Sequence, residues 1–151
     1  MLRPGDLLCF HGRGFFSPLI RFWEHSEWSH VAIFGYQNGV PGYFESDSVK
    51  HGSVFTPLCV EQPDAWIELN VNWTQENQKF AESLEHLPYD WIDFIRCMFG
   101  LPARNRGYIC SELAAAICRN DGAANFPEDF LPTPAGLIDF FVYSGHPLQR
   151  K

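Results

Sequence analysis

No stretch of this chain stays apolar for the ~20 residues that a helix needs to cross a bilayer, so no transmembrane segment is expected. The N-terminus, Met1-Leu2-Arg3-Pro4-Gly5-Asp6, lacks the charged start and apolar core of a signal peptide. Together these two absences predict a cytoplasmic protein. Basic residues are scarce, 11 against 18 acidic for a net charge of −7, and they form no run. That balance argues against nucleic acid, whose phosphates demand a basic face. Arg96, Arg104 and Arg106 read instead as a solvated loop. Paired cysteine spacing is also missing. Five cysteines (Cys9, Cys59, Cys97, Cys110, Cys118) are an odd number, which suits a reducing compartment better than an exported disulfide scaffold. Metal-ligand spacing is lacking too: Cys9-Phe10-His11 has no matching second pair and there is no His-Glu-x-x-His, so no metal site is expected. With no repeat, linker or low-complexity segment, residues 1–151 are expected to form a single domain.

What the chain does contain is core material. Apolar residues make up 46 % and aromatics 16 %, including fourteen Phe and five Trp, enough for a core without staples. After the Pro4-Gly5-Asp6 turn, Leu7-Leu8-Cys9-Phe10 reads as a buried strand, and Phe16 to Trp23 as a short helix with Pro18 in its first turn. Ser29 to Tyr36 is strand-like. Residues 37–42 form a turn, and Tyr43-Phe44-Glu45-Ser46 starts the return strand. Val54 to Leu58 and Ala65 to Leu69 read as further strands. From Thr74 the period changes to helical, carrying Phe80, Leu84 and Leu87. Pro88-Tyr89-Asp90-Trp91 interrupts that pattern before a helix from Trp91 to about Met98. Another helix opens at Cys110 and ends at Asn120-Asp121-Gly122, and Leu137 to Tyr143 is a short helical or extended piece. Strands in the first half and helices in the second predict an α+β fold.

The chemistry centres on Cys110, which closes Gly107-Tyr108-Ile109 and opens the helix Ser111-Glu112-Leu113-Ala114-Ala115-Ala116-Ile117. A thiol at a helix N-terminus meets unpaired N–H groups and the positive dipole end, which favour a thiolate. The same amides suit the oxyanion formed when sulfur attacks a carbonyl. The competing reading is an ordinary buried thiol. His30 stands at the mouth of an apolar strand, and a thiol on a helix start with an imidazole on a strand end are the parts of a cysteine nucleophile. A third group should accept the other ring N–H of His30. In a hairpin turning at 37–42, Glu45 falls opposite residue 32 or 34 and shares the His30 face. A one-residue slip would instead leave Asp47 or Ser46 nearby.

Five pieces, Gly5-Asp6-Leu7-Leu8, Ser29-His30-Val31-Ala32-Ile33, Phe44-Glu45, Pro88-Tyr89-Asp90-Trp91 and Tyr108-Ile109-Cys110-Ser111-Glu112-Leu113, occur in one order. In that order the chain resembles the circularly permuted NlpC/P60 cysteine hydrolases, a papain-like group that includes the YiiX/YaeF-type proteins. The histidine precedes the cysteine, as in the permuted arrangement. The resemblance implies a small antiparallel sheet curling into a barrel against the cysteine helix, with 1–151 as one permuted domain. It implies Cys110 as nucleophile, His30 as base and Glu45 as third member, cleaving a peptide, amide or related acyl bond through a thioester. Neither a metal nor an organic cofactor is needed for that chemistry. A lipid-directed acyl hydrolase or acyltransferase, related to the lecithin:retinol acyltransferase-like proteins, is the alternative; those tend to place a second histidine where this chain has Glu45. A non-enzymatic assembly protein retaining the fold is a third possibility.

Other polar residues have plainer expected roles. His11 and His25 read as surface or rim residues, Asp6 as a turn anchor, and Glu112 as a helix-dipole or capping group. Cys9, Cys97 and Cys118 are expected to be structural, and Trp23 and Trp28 to be core aromatics or groove walls. An acidic chain without a basic run should bind DNA weakly even at low salt. A gel-shift or anisotropy titration at low ionic strength checks this, and tight, salt-sensitive binding would contradict it.

Overall fold

The computed structural model of the protein describes residues 1–11, 25–104 and 106–151. Six strands form one antiparallel sheet: β1 (Leu7–His11), β2 (Trp28–Gln37), β3 (Val40–Asp47), β4 (Gly52–Pro57), β5 (Ala65–Ile67) and β6 (Leu148–Arg150). Their order across the sheet is β4-β3-β2-β1-β5-β6. Four helices are present among the described residues: α1 (Gln75–Ser83), α2 (Trp91–Met98), α3 (Cys110–Asp121) and α4 (Pro134–Tyr143). The α+β expectation holds. The expected barrel does not, because no β4–β6 pairing closes the sheet among the described residues. The short helix expected at Phe16 to Trp23 lies outside the described residues.

Alternation along β1 divides the core in two. Leu7 and Cys9 join Val31, Ile33, Phe44 and the apolar side of α3, whereas Leu8 and Phe10 pack with Ala32, Phe34 and Tyr43. Each fully buried Leu, Ile or Phe contributes about 1.5–3 kcal/mol, so the two layers hold the central strands firmly. The helix α3 packs chiefly against β2 and β3. It stops where Gly122 adopts φ 83°, the left-handed cap foreseen from Asn120-Asp121-Gly122.

Several boundaries differ from expectation for local reasons. The turn expected over residues 37–42 is confined to Asn38-Gly39, because Val40, Pro41 and Gly42 pair with Gln37, Tyr36 and Gly35. The helix α1 starts as expected, with Thr74 and Asn77 bonding reciprocally at its N-terminus. It ends at Ser83 without reaching Leu87, because His86 turns to φ 66° and donates its N–H to the Ser53 carbonyl. The strand β6 was not expected; Leu148-Gln149-Arg150 is too short to carry a period and forms only by pairing with β5.

The Pro88-Tyr89-Asp90 segment joins the two halves of the molecule. Ser53 donates its N–H to the Leu87 carbonyl, Tyr108 donates to the Pro88 carbonyl at 3.2 Å, and Tyr89 bridges Tyr108 in parallel. Asp90 then caps α2, accepting from the Ile92 and Asp93 amides. Gly107 has no room for a side chain, since a Cβ there would overlap the Pro88 carbonyl oxygen. Gly107→Ala should therefore lower stability by about 1–3 kcal/mol, measured by urea unfolding, and slow alkylation of Cys110. An unchanged midpoint would show that this junction yields without cost.

Candidate active site

The sheet forks where the candidate residues sit. The β2–β3 ladder runs from Gln37↔Val40 to Ile33↔Phe44 and goes no further. Beyond that point β2 stays paired with β1 as far as Trp28, and β3 stays paired with β4 as far as Asp47. His30 and Glu45 lie just past the fork, on strands that have begun to part. The register sets Glu45 level with Ala32, one of the two expected placements. It brings the His30 Nε2 within 2.6 Å of the Glu45 Oε2. The ring of Phe10 covers the imidazole from the next strand, 5.6 Å between centroids.

Glu45 is fully buried, and its carboxylate is bonded at both oxygens. Oε2 meets His30. Oε1 accepts from the Lys50 ammonium and from the Thr56 hydroxyl, each at 2.6 Å, and Lys50 also donates to Thr56 at 2.7 Å. Burial opposes the carboxylate, but the bonds from His30, Lys50 and Thr56 hold its pKa well below the usual carboxylate range.

Cys110 opens α3 and is buried at the same place. With Nε2 engaged by Glu45, the other nitrogen of the His30 ring is left for the thiol, which is close enough for its charge to act on the ring. Burial alone would deprotonate the ring. The Cys110 sulfur and the Glu45 carboxylate outweigh it and raise the imidazole pKa to about 10. The structure thus brings Cys110, His30 and Glu45 together. Ile109, at the helix N-cap, has no side-chain acceptor, so the first-turn amides beside Cys110 receive no cap from the residue that normally supplies one.

Several neighbours fix this geometry. Ser46 donates its hydroxyl to the Tyr108 carbonyl at 2.6 Å, and Ser111 donates to the Pro132 carbonyl at 2.6 Å. Tyr89 stands close enough that, after burial, the Cys110 charge contributes to the raised pKa of its phenol. Sequence reasoning missed Lys50 and Thr56. Thr56 had a signal, since it falls opposite Tyr43 on β3 and shares the Glu45 face. Lys50, in the turn after β3, had none.

The remaining candidates fall mostly as expected. Asp6 accepts from the Arg3 and Leu69 amides and secures its turn. His11 is at the surface, stacked on Trp28 and near Glu27, and His25 is exposed. Trp28 lies in the core, whereas Trp23 lies outside the described residues. Cys9, Cys97 and Cys118 are buried and Cys59 is exposed.

No protein-family model matches the chain, and no curated protein matches it. Among solved structures, YiiX of Escherichia coli O157:H7 superposes with a TM-score of 0.58 at 21 % identity. The match covers 79 % of this chain and 66 % of YiiX, just under two thirds of its length. The two chains share a fold. The likeness to YiiX is consistent with the resemblance to the YiiX/YaeF-type proteins. YiiX is described as a metalloprotein.

Glu112 fills the capping half of its expected role but not the dipole half. Its Oε2 accepts the Ile109 N–H at 3.3 Å, the capping bond, but its Oε1 is buried without a hydrogen-bond partner. Burial pushes its carboxyl from 4.5 up to about 8, the Ile109 amide opposing and Asp93 and Asp90 adding to the rise. At neutral pH it is a neutral acid, not the charged partner of a dipole. Below the ordinary value both folded and unfolded chains hold the proton. Between 4.5 and about 8 only the folded chain does, so stability falls as pH rises through this window and the loss is complete above it. Glu112→Gln should flatten the decline of the urea midpoint between pH 5 and pH 9. An unaltered slope would remove Glu112 from that role.

Proposed function

We propose that the protein is a cysteine hydrolase that cleaves an amide, in a peptide or a related acyl compound, through a thioester on Cys110. The observation that carries this reading is the His30 ring held between the Cys110 thiol and a fully buried Glu45 carboxylate. The circular permutation of a papain-like domain belongs to the same reading, since His30 and Glu45 precede Cys110 in the chain.

In the proposed reaction His30, whose raised pKa keeps it protonated at neutral pH, already holds the Cys110 proton when the sulfur attacks the substrate carbonyl carbon. The developing oxyanion is received by first-turn amides of α3. The C–N bond then breaks and the imidazolium delivers its proton to the leaving amine. Water attacks the thioester next, losing a proton to His30. That proton stays on the imidazole as the sulfur is released with the acid product. Glu45 keeps the ring oriented and favours its charged form, and Lys50 with Thr56 keeps Glu45 ionised.

The description of YiiX as a metalloprotein raises the question of a metal here. Both Glu45 oxygens are already bonded, and the Lys50 ammonium occupies the position beside Oε1 that a cation would need. Among the described residues no group of three or more His, Cys, Asp or Glu side chains is arranged to hold an ion. These residues do not fit a metal ion.

The test is to incubate the protein with panels of peptide amides and acyl lipids and seek an acyl adduct on Cys110 by mass spectrometry. Because Cys59 is exposed, the Cys59→Ser background isolates the signal. Limiting iodoacetamide at neutral pH should label Cys110 ahead of Cys9, Cys97 and Cys118. Turnover should fall at least about 10³-fold in His30→Ala and less in Glu45→Gln, which keeps a hydrogen-bonding group. An inert Cys110, or His30→Ala with wild-type turnover, would reject the mechanism.

A further inference from the structure

Lys50 stands in a turn that its neighbours hold in one shape. The turn opens at Asp47, whose Oδ1 accepts the Val49 N–H at 2.7 Å. His51 then takes φ 64°, in the left-handed region that a residue with a Cβ seldom enters. Gly52 follows at φ 148°, where an added Cβ would overlap the Leu87 carbonyl oxygen. A turn that merely crosses the surface needs none of these constraints. Here they accompany a side chain that turns back to the buried Glu45 carboxylate.

Lys50, Glu45 and Thr56 close a triangle. Lys50 donates to the Glu45 Oε1 at 2.6 Å and to the Thr56 hydroxyl at 2.7 Å, and Thr56 donates to the same Oε1 at 2.6 Å. The Lys50 side chain is 35 % exposed but its partner is fully buried, so water screens this pair less than a surface pair. Once His30 holds the Cys110 proton, two cations, His30 and Lys50, stand with two anions, Cys110 and Glu45. Other titratable groups face this cluster from neighbouring elements. Tyr89, ahead of α2, has its phenol pushed up by burial and by the Cys110 charge and stays neutral, and Asp47 at the end of β3 and Cys97 of α2 act on the same phenol. Asp47 adds negative charge, so loss of the Lys50 ammonium would leave the cluster with an excess of anions.

We propose that Lys50 is a positioning residue of the Cys110 centre, whose charge, acting through Glu45 and His30, supports the anionic form of the sulfur. The inference rests on the reading of Cys110, His30 and Glu45 as one centre. A buried excess of charge is relieved by taking up a proton from water. Glu45 keeps its bonds to His30 and Thr56, which favour the carboxylate, so that proton goes to the sulfur. Without Lys50 the thiol form gains, and Cys110 attacks more slowly.

Alkylation of Cys110 by limiting iodoacetamide, followed from pH 5 to pH 10 in the Cys59→Ser background, reads the anionic sulfur and needs no substrate. Lys50→Gln keeps a hydrogen-bond donor and Lys50→Met keeps the stem, and neither carries charge. In both, the profile should move to higher pH by about one unit, so that alkylation at pH 6 slows about ten-fold. Lys50→Arg should restore the wild-type profile. Thr56→Val, which removes a bond but no charge, should move the profile much less while lowering the unfolding midpoint. A purely structural role would move midpoints and leave the profile in place. Wild-type profiles in both neutral variants overturn the proposal, and so does a Lys50→Arg profile that matches Lys50→Gln. Failure of both neutral variants to fold assigns Lys50 to stability and overturns it as well. An inert Cys110 rejects the hydrolase reading and this inference together, whereas a Lys50-dependent profile without any acyl adduct rejects the hydrolase chemistry and leaves the role of Lys50 standing.

Discussion

Burying a carboxylate without exposed surface costs several kcal/mol unless every oxygen is compensated, and Glu45 is buried in this way. Among the described contacts its compensation comes from the imidazole of β2, the hydroxyl of β4, and the ammonium of the turn between β3 and β4. Each donor needs its own backbone in place. Thr56 requires the β3–β4 ladder in register, Lys50 requires the turn that ends at Gly52, and His30 requires the fork that parts β2 from β3. The charge thus couples a strand, a turn and a fork. Removing one donor leaves the others around an under-compensated anion, which is costlier than the net worth of any single bond.

The start of α3 depends on a second set of contacts, made to backbone groups. Ser46 holds the Tyr108 carbonyl, Pro88 accepts from Tyr108, and Glu112 accepts from Ile109. Ser111 and Cys97 both donate to the Pro132 carbonyl, tying the first turn of α3 and the last turn of α2 to the same point of the tail. These bonds come from β3, from the segment before α2 and from the tail, so the sulfur is placed by elements spread along most of the chain.

Much of this could be read from residues alone. Alternation that put residues 30, 32 and 34 on one face, with a turn read over residues 37–42, gave a hairpin in which Glu45 could fall on the His30 side, one slip of register apart from Asp47 or Ser46. Thr74 announced a helix start, and Gly122 a helix end, because capping is written in one or two residues. The rest was unreadable for physical reasons. Leu148-Gln149-Arg150 has no pattern of its own and is a strand only through its partner. The helix α1 stops short of Leu87 because of a distant bond to Ser53. Lys50 reaches Glu45 from a turn whose sequence, Asp47-Ser48-Val49-Lys50-His51, also suits a solvated loop. The closure into a barrel came with the family resemblance, and β4 and β6 remain apart among the described residues.

The order of the parts along the chain bears on how the protein is made. His30 and Glu45 are 15 positions apart and joined by a local hairpin, a contact with little loop to close. Cys110 is synthesised about 80 residues after His30, and its helix docks only when the Pro88-Tyr89-Asp90 segment and the tail can hold it. An emerging chain therefore carries the imidazole and its carboxylate before it carries the sulfur. Under the proposed chemistry a nascent or truncated chain is inert, and the docking of α3, late in assembly, is what creates a reactive thiol.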